Sequence, residues 1–159
     1  MANIPYYQQK DIENIKKLRE MMKELPPFCT EFFRGIEPRT STRTRIAYAY
    51  DLSVFFDFLK KENPVFAKMK RMDFKLEQLD QITVTDLEEY MEYLKYRFNE
   101  QNHEIMNQER GIMRKISSLK SFYNYFFRTE KLTTNPAALV RLPKLHDKEI
   151  IRLDVDEVA

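Results

Sequence analysis

The sequence predicts an all-α fold, an orthogonal bundle of about four core helices preceded by an N-terminal helical extension. Three observations predict it. Apolar residues recur at helical spacing in several long stretches, only 2 of the 159 residues are glycine, and prolines stand between the periodic stretches.

In chain order, residues 10–25 (KDIENIKKLREMMKEL) place Ile12, Ile15, Leu18, Met22 and Leu25 on one face, and Pro26 with Pro27 ends the helix. A short helix over PFCTEFFRGI follows, with its stop expected near Gly35 and Pro38. The segment from Glu37 to Pro64 carries the clearest helix. Thr40, Ser41 and Thr42 offer capping hydroxyls, Tyr48, Leu52, Phe55, Phe56 and Leu59 form its core stripe, and Asn63–Pro64 terminates it. Residues 65–79 give only a turn of helix and a connector. In ITVTDLEEYMEYLKYRF, Thr83 and Asp86 have capping-box spacing, Leu87, Tyr90, Met91 and Leu94 face inward, and Glu88, Glu89 and Glu92 face outward. After a polar link comes RGIMRKISSLKSFYNYFFR (110–128), with Ile112, Ile116, Leu119, Tyr123 and Phe126 as its apolar stripe. Asn135 and Pro136 suit the N-cap and first position of a brief closing helix.

Twelve Phe and nine Tyr suffice for one core. No window approaches ~18 consecutive apolar residues, so no membrane span is expected, and the first residues lack the apolar centre of a secretory signal. With Cys29 as the sole cysteine, no internal disulfide forms, which fits a reduced, cytoplasmic setting. PPFCTEFF supplies no base beside Cys29, so this thiol is expected to be a buried bystander. No metal-ligand spacing or phosphate-cradling glycine loop occurs, and neither a cofactor nor a small-molecule substrate is expected.

The formal charge of +2 hides a strong division. Residues 39–72 carry eight basic and three acidic side chains, residues 73–104 three and nine, and residues 105–148 nine and three. A fold that brings the two basic segments together presents one positive and one negative surface. Solvated helix faces usually mix Glu with Lys. The outer face of 110–128 instead carries Arg110, Arg114, Ser117, Ser118, Ser121, Tyr125 and Arg128 with no acid.

TRTRIAYAYDLSVFFDFL (42–59), ITVTDLEEYMEYL (82–94) and RKISSLKSFYNYFFRTEKLTTNPAALVRLPK (114–144) together resemble the N-terminal, core-binding domain of the tyrosine recombinases, the phage-integrase family. The last stretch is the most specific of the three. The resemblance implies a SAM-like helical domain over 38–145, an N-terminal extension over 1–37, and the start of a linker over 146–159 that leads toward a catalytic domain. The family cleaves DNA with a tyrosine nucleophile supported by arginines, a lysine and histidines, one of them in His-x-x-Arg. Here His103 is followed three positions later by Met106 and His146 by Glu149, so neither begins that motif. No catalytic centre is expected in this chain. The implied partners are double-stranded DNA at a recombination site and further protomers of the same protein on that DNA, in a bacterial or phage-derived setting.

A helix suits the major groove when its outer face is narrow, basic and built of small hydrogen-bonding residues. On that ground Arg110, Arg114 and Ser118 are expected in the groove, with Lys115 and Ser121 on flanking phosphates. By resemblance this helix is one of two that enter the groove, and Gly111 stands where the family usually has threonine or serine. The second is the start of the helix from residue 41, where Arg43, Thr44 and Arg45 are expected on the DNA backbone and Ala47 toward the groove. The alternative function is a helical protein-interaction module that uses the acidic 73–104 segment and surface aromatics. A cryptic enzyme site built on Glu88 and Glu92 lacks a cleft and metal-ligand spacing.

Overall fold

Aromatic packing sets the architecture. The computed structural model describes residues 4–99 and 101–142. Its α-helices are α1 (Tyr6–Met22), α2 (Cys29–Ile36), α3 (Thr42–Glu62), α4 (Leu76–Leu79), α5 (Val84–Lys95) and α6 (Glu109–Arg128). Short 3-10 turns cover Glu37–Arg39, Pro64–Phe66, Arg71–Asp73 and Pro136–Leu139. The all-α expectation holds, with one addition. Arg97–Phe98 (β1) pairs antiparallel with Glu104–Ile105 (β2), Arg97 opposite Ile105, so the stretch expected to be helical through Phe98 leaves its helix at Lys95 and pairs with the polar link instead.

α6 runs through the centre of the core. Phe122 is fully buried and meets Phe32 of α2 at 5.2 Å, Phe126 of its own helix at 5.2 Å, and Phe56 of α3 at 6.4 Å, each edge to face. Rings in this arrangement gain from quadrupole geometry as well as from buried area. The expected stripe of Ile112, Ile116, Leu119, Tyr123 and Phe126 is buried throughout. The Tyr123 hydroxyl donates to the Leu79 carbonyl at 3.1 Å, which fixes α6 against the end of α4. Lys120 Nζ donates to the carbonyls of Ala137 and Val140, both at 2.6 Å, and so clamps the closing 3-10 turn onto α6.

Local chemistry explains most boundaries. Ser41 caps α3 by accepting from the Thr44 amide at 3.2 Å. Thr83 and Asp86 form the expected capping box at the start of α5, at 3.1 and 2.8 Å. Asn135 accepts from the Ala138 amide at 3.2 Å, and Pro136 opens the last turn. Gly35 does not stop its helix, which runs to Ile36. A Cβ there would stand 2.2 Å from Tyr125 Cε1, so glycine permits the close approach of α2 to α6.

α1 begins at Tyr6, earlier than expected, and packs along α3. Leu18 is its buried residue, whereas Ile12 is exposed. The Thr42 hydroxyl at the start of α3 donates to Asp11 Oδ1 at 2.8 Å and joins the two helices. One continuous apolar cluster runs from Leu18 of α1 to Val140, with Cys29, Phe32 and Phe33 of α2 inside it. The linker expected over 146–159 and the last residues of the 38–145 segment lie outside the described residues.

Burial pushes the Cys29 thiol pKa up and leaves it without the thiolate that alkylation needs. Cys29 is therefore expected to resist iodoacetamide in the native protein and to react stoichiometrically in denaturant, as read by intact mass.

Candidate nucleic-acid interface

The two helices expected to meet DNA, α3 and α6, pack against each other, and a buried carboxylate joins them. Asp51 lies on the inward side of α3, three residues after Tyr48 and four before Phe55, and its side chain is 2% exposed. Arg114 Nη1 donates to Asp51 Oδ2 at 2.9 Å, and Ser118 Oγ donates to the same oxygen at 2.7 Å. Lys115 Nζ stands 3.5 Å from Oδ1 and 5.1 Å from the centre of the Tyr50 ring. Three polar side chains within about one turn of α6 thus converge on one α3 side chain.

This cluster sits in low dielectric. Burial lowers the Lys115 pKa below the usual lysine value, and the charge of Asp51 opposes that shift. The nearby Tyr90 phenol is raised well above the ordinary tyrosine value, first by burial and then by Asp51. The Tyr90 hydroxyl is buried without a hydrogen-bond partner among the described residues.

The expected contact residues divide accordingly. Arg43 and Arg110 are exposed and have no ion pair among the described residues. Arg114 is 47% exposed, with only Nη1 drawn inward. Ser121, Thr44 and Ala47 are half-buried at the surface. The Thr44 amide is already occupied by the Ser41 cap, so at this residue the hydroxyl is the group left for an anion.

Three expectations are corrected. Arg45 is buried, and its Nη1 donates to the carbonyls of Glu37 at 3.1 Å and Thr40 at 2.7 Å. It satisfies the turn before α3 rather than reaching a phosphate, because position 45 lies one helical turn behind the cap, on the inward side. Lys115, 3% exposed, lies between Ile112 and Leu119 on the core-facing flank and balances Asp51. Ser118 is buried for the same reason of helical phase, so it braces Asp51 and does not face outward.

The outward stripe of α6 is Arg110, Arg114, Ser117, Ser121, Asn124 and Arg128, at alternating spacings of four and three. Arg128 lies 5.8 Å over the Tyr125 ring. Asn124 and Asp51 are the residues that sequence reasoning missed. Asn124 follows Ser117 and Ser121 in register, and Asp51 was detectable as a lone acid on an apolar stripe. Other cations of the basic segments are engaged internally: Arg71 grips Asp57 through two hydrogen bonds, and Lys61 donates to the Phe98 carbonyl at 2.7 Å.

Among the described residues no group of His, Cys, Asp and Glu could hold a metal ion, and no helix is long and apolar enough to cross a membrane. The surface of α5 carries Glu88, Glu89 and Glu92 as expected. Glu89 and Glu92 line a groove with Glu62, Phe58, Tyr93 and Tyr96.

Removing the buried carboxylate strands its counter-ions. Asp51→Ala is expected to lower stability by about 3–5 kcal/mol in urea unfolding, and Lys115→Met in the same background to restore part of the loss.

Comparison with known proteins adds independent support. Residues 24–142 match the model of the phage integrase SAM-like domain. The chain is 35% identical over 139 residues to tyrosine recombinase XerC of Caldanaerobacter subterraneus subsp. tengcongensis, which covers 83% of this chain and 38% of that protein. It is 35% identical over 117 residues to tyrosine recombinase XerC of Leptospira interrogans, 72% of this chain and 30% of the relative. It is 29% identical over 133 residues to tyrosine recombinase XerD of Rickettsia bellii, 82% and 37% respectively. The chain therefore spans about a third of the length of these relatives. No solved structure gives a significant match. The helical order, the α3–α6 seam and a family match over most of the chain lead to one conclusion: this chain belongs to the phage integrase SAM-like domain family.

Proposed function

We propose that the chain is the DNA-gripping portion of a site-specific tyrosine recombinase, holding duplex DNA against the outer faces of α6 and the start of α3. The carrying observation is the acid-free outward stripe of α6, from Arg110 to Arg128, seated on α3 through Asp51. A narrow face of arginine, serine and asparagine fits the dimensions and hydrogen-bond pattern of the major groove. Arg110 and Arg114 take the groove positions, since the planar guanidinium can bond guanine O6 and N7 together. Ser121 and Asn124 follow the groove toward Arg128. Arg43 and the Thr44 hydroxyl take backbone phosphates, and Ala47 leaves room for the duplex. The role of this chain in that reading is grip and register, and no strand-cleaving step is assigned to its residues.

Salt dependence tests this function directly, because phosphate contacts release condensed counter-ions. Affinity for duplex DNA is expected to fall steeply with salt. Arg43→Ala should weaken binding alike for all sequences and reduce the slope by about one. Arg114→Ala should cost about 1–3 kcal/mol on a preferred site and little on a scrambled one, by fluorescence anisotropy. Salt-insensitive or absent binding would leave the family's fold without this function.

Neighbouring copies on the same DNA are the second proposed partner, with α1 as the element that meets them. Ile4 just before α1, and Tyr6, Tyr7 and Ile12 on it, are exposed, with Tyr6 at 78%. Replacing Tyr6 and Tyr7 by serine is expected to spare binding to a single site and to reduce cooperativity on paired sites. Unchanged cooperativity in a two-site titration would remove α1 from that role.

A further inference from the structure

We propose that Asp51 is a positioning residue for DNA sequence preference: it holds the Arg114 guanidinium in one orientation so that the free edge of the fork faces the groove. This rests on the DNA-binding function proposed above.

The geometry separates two tasks within one guanidinium. Nη1 is tied inward to Asp51 Oδ2 at 2.9 Å, while the side chain remains 47% exposed. Among the described residues Nε and Nη2 have no partner. Those two groups form a planar edge with two parallel donors, the pattern that matches guanine O6 and N7. An arginine on a bare helix surface samples many rotamers and loses them on binding. One already held by a fixed acceptor loses fewer, so more of its hydrogen-bond energy appears as discrimination.

Asp51 is itself immobilised. Its side chain is 2% exposed, Ser118 Oγ donates to the same oxygen that holds Arg114, and Lys115 Nζ faces the other oxygen at 3.5 Å. Lys115 has a specific place in this arrangement. As a buried cation, it balances the Asp51 carboxylate from within, so the charge of Arg114 is not consumed by its own tether and remains available to DNA. The Tyr50 ring, 5.1 Å from Lys115 Nζ, covers that cation from the surface side of α3. Arg114 and Tyr50 thus meet at one seam, where the outward faces of the two helices adjoin.

A purely structural role for Asp51 predicts that its loss weakens all DNA binding together. Positioning predicts that discrimination is lost while general affinity stays. The test uses the 159-residue chain and a randomised duplex pool, from which the wild type selects a preferred site. Asp51→Asn combined with Lys115→Met removes both buried charges at once, leaving neither stranded, and circular dichroism verifies the fold. The preferred-to-scrambled affinity ratio is expected to drop about tenfold. Affinity for the scrambled duplex and its salt slope should be unchanged in this variant, and adding Arg114→Ala should lower the preferred-to-scrambled ratio no further. Ser118→Ala leaves every charge in place and is the second variant should the first not fold. It is expected to lower the ratio about threefold. A folded variant with unaltered discrimination, or a wild type that selects no motif while binding duplex, overturns the inference alone. A wild type that shows no salt-dependent duplex binding overturns the DNA function and the inference with it.

Discussion

A carboxylate with almost no solvent exposure costs several kcal/mol to desolvate, and the α3–α6 seam is organised around offsetting that cost. Asp51 receives Arg114 and Ser118 on one oxygen and faces Lys115 on the other. Because all three partners lie on α6, the penalty is relieved at one mutual register of the two helices. A slip of one residue on either would leave the charge unpaired. Apolar packing around Phe122 supplies more buried area, yet such packing tolerates repacking in a way that a paired buried charge does not. The relative placement of the two helices depends on this polar contact more than on any one ring pair.

The same contact changes what the chain's positive charge means. The two basic segments look equivalent when charges are counted, but the fold uses many of their cations internally. Arg45 ties the turn before α3, Lys115 balances Asp51, Lys120 clamps the closing turn, and Arg71 is held by Asp57. What faces outward at the start of α3 and along α6 is a sparse set among the described residues: Arg43, Arg110, Arg128 and one edge of Arg114. A surface of a few placed arginines among serines and an asparagine suits reading of a groove better than broad adhesion to phosphate. The acidic face of α5 belongs to a separate segment of the chain, and no ion pair between it and these arginines occurs among the described residues.

Position along the chain also matters for α1. Its Asp11 and Asn14 both engage Thr42, so the helix begins its contact at the first residue of α3, next to Arg43. α2 is bound to α6 by the close approach at Gly35 and by the Phe32–Phe122 pair. α1 and α2 therefore buttress both helices of the candidate interface, although family resemblance treats this part of the chain as an extension.

Helical phase, caps and breakers are local properties, and they were legible. The stripe of α6, the Ser41 cap, the Thr83–Asp86 box and the Asn135–Pro136 turn follow from spacing and side-chain chemistry within a few residues. The family could be recognised for the same reason, since its signatures are short and contiguous. Which polar residue on a helix flank turns inward was not legible. Arg45, Lys115 and Ser118 each sit at the margin between faces, where a rotation of a fraction of a turn decides burial, and the partner that makes burial tolerable is elsewhere. For Lys115 and Ser118 that partner is Asp51, on another helix and 67 positions from Ser118, while the carbonyls that receive Arg45 lie five and eight positions back, across a turn whose path only the fold sets. The two-residue strands escaped notice because so short a pairing leaves no periodic trace. The sequence alone determined the helices, their order and the basic character of one face. Tertiary structure alone decided which cations stay free at the surface, because the stability of a buried charge depends on neighbours that only folding brings within reach.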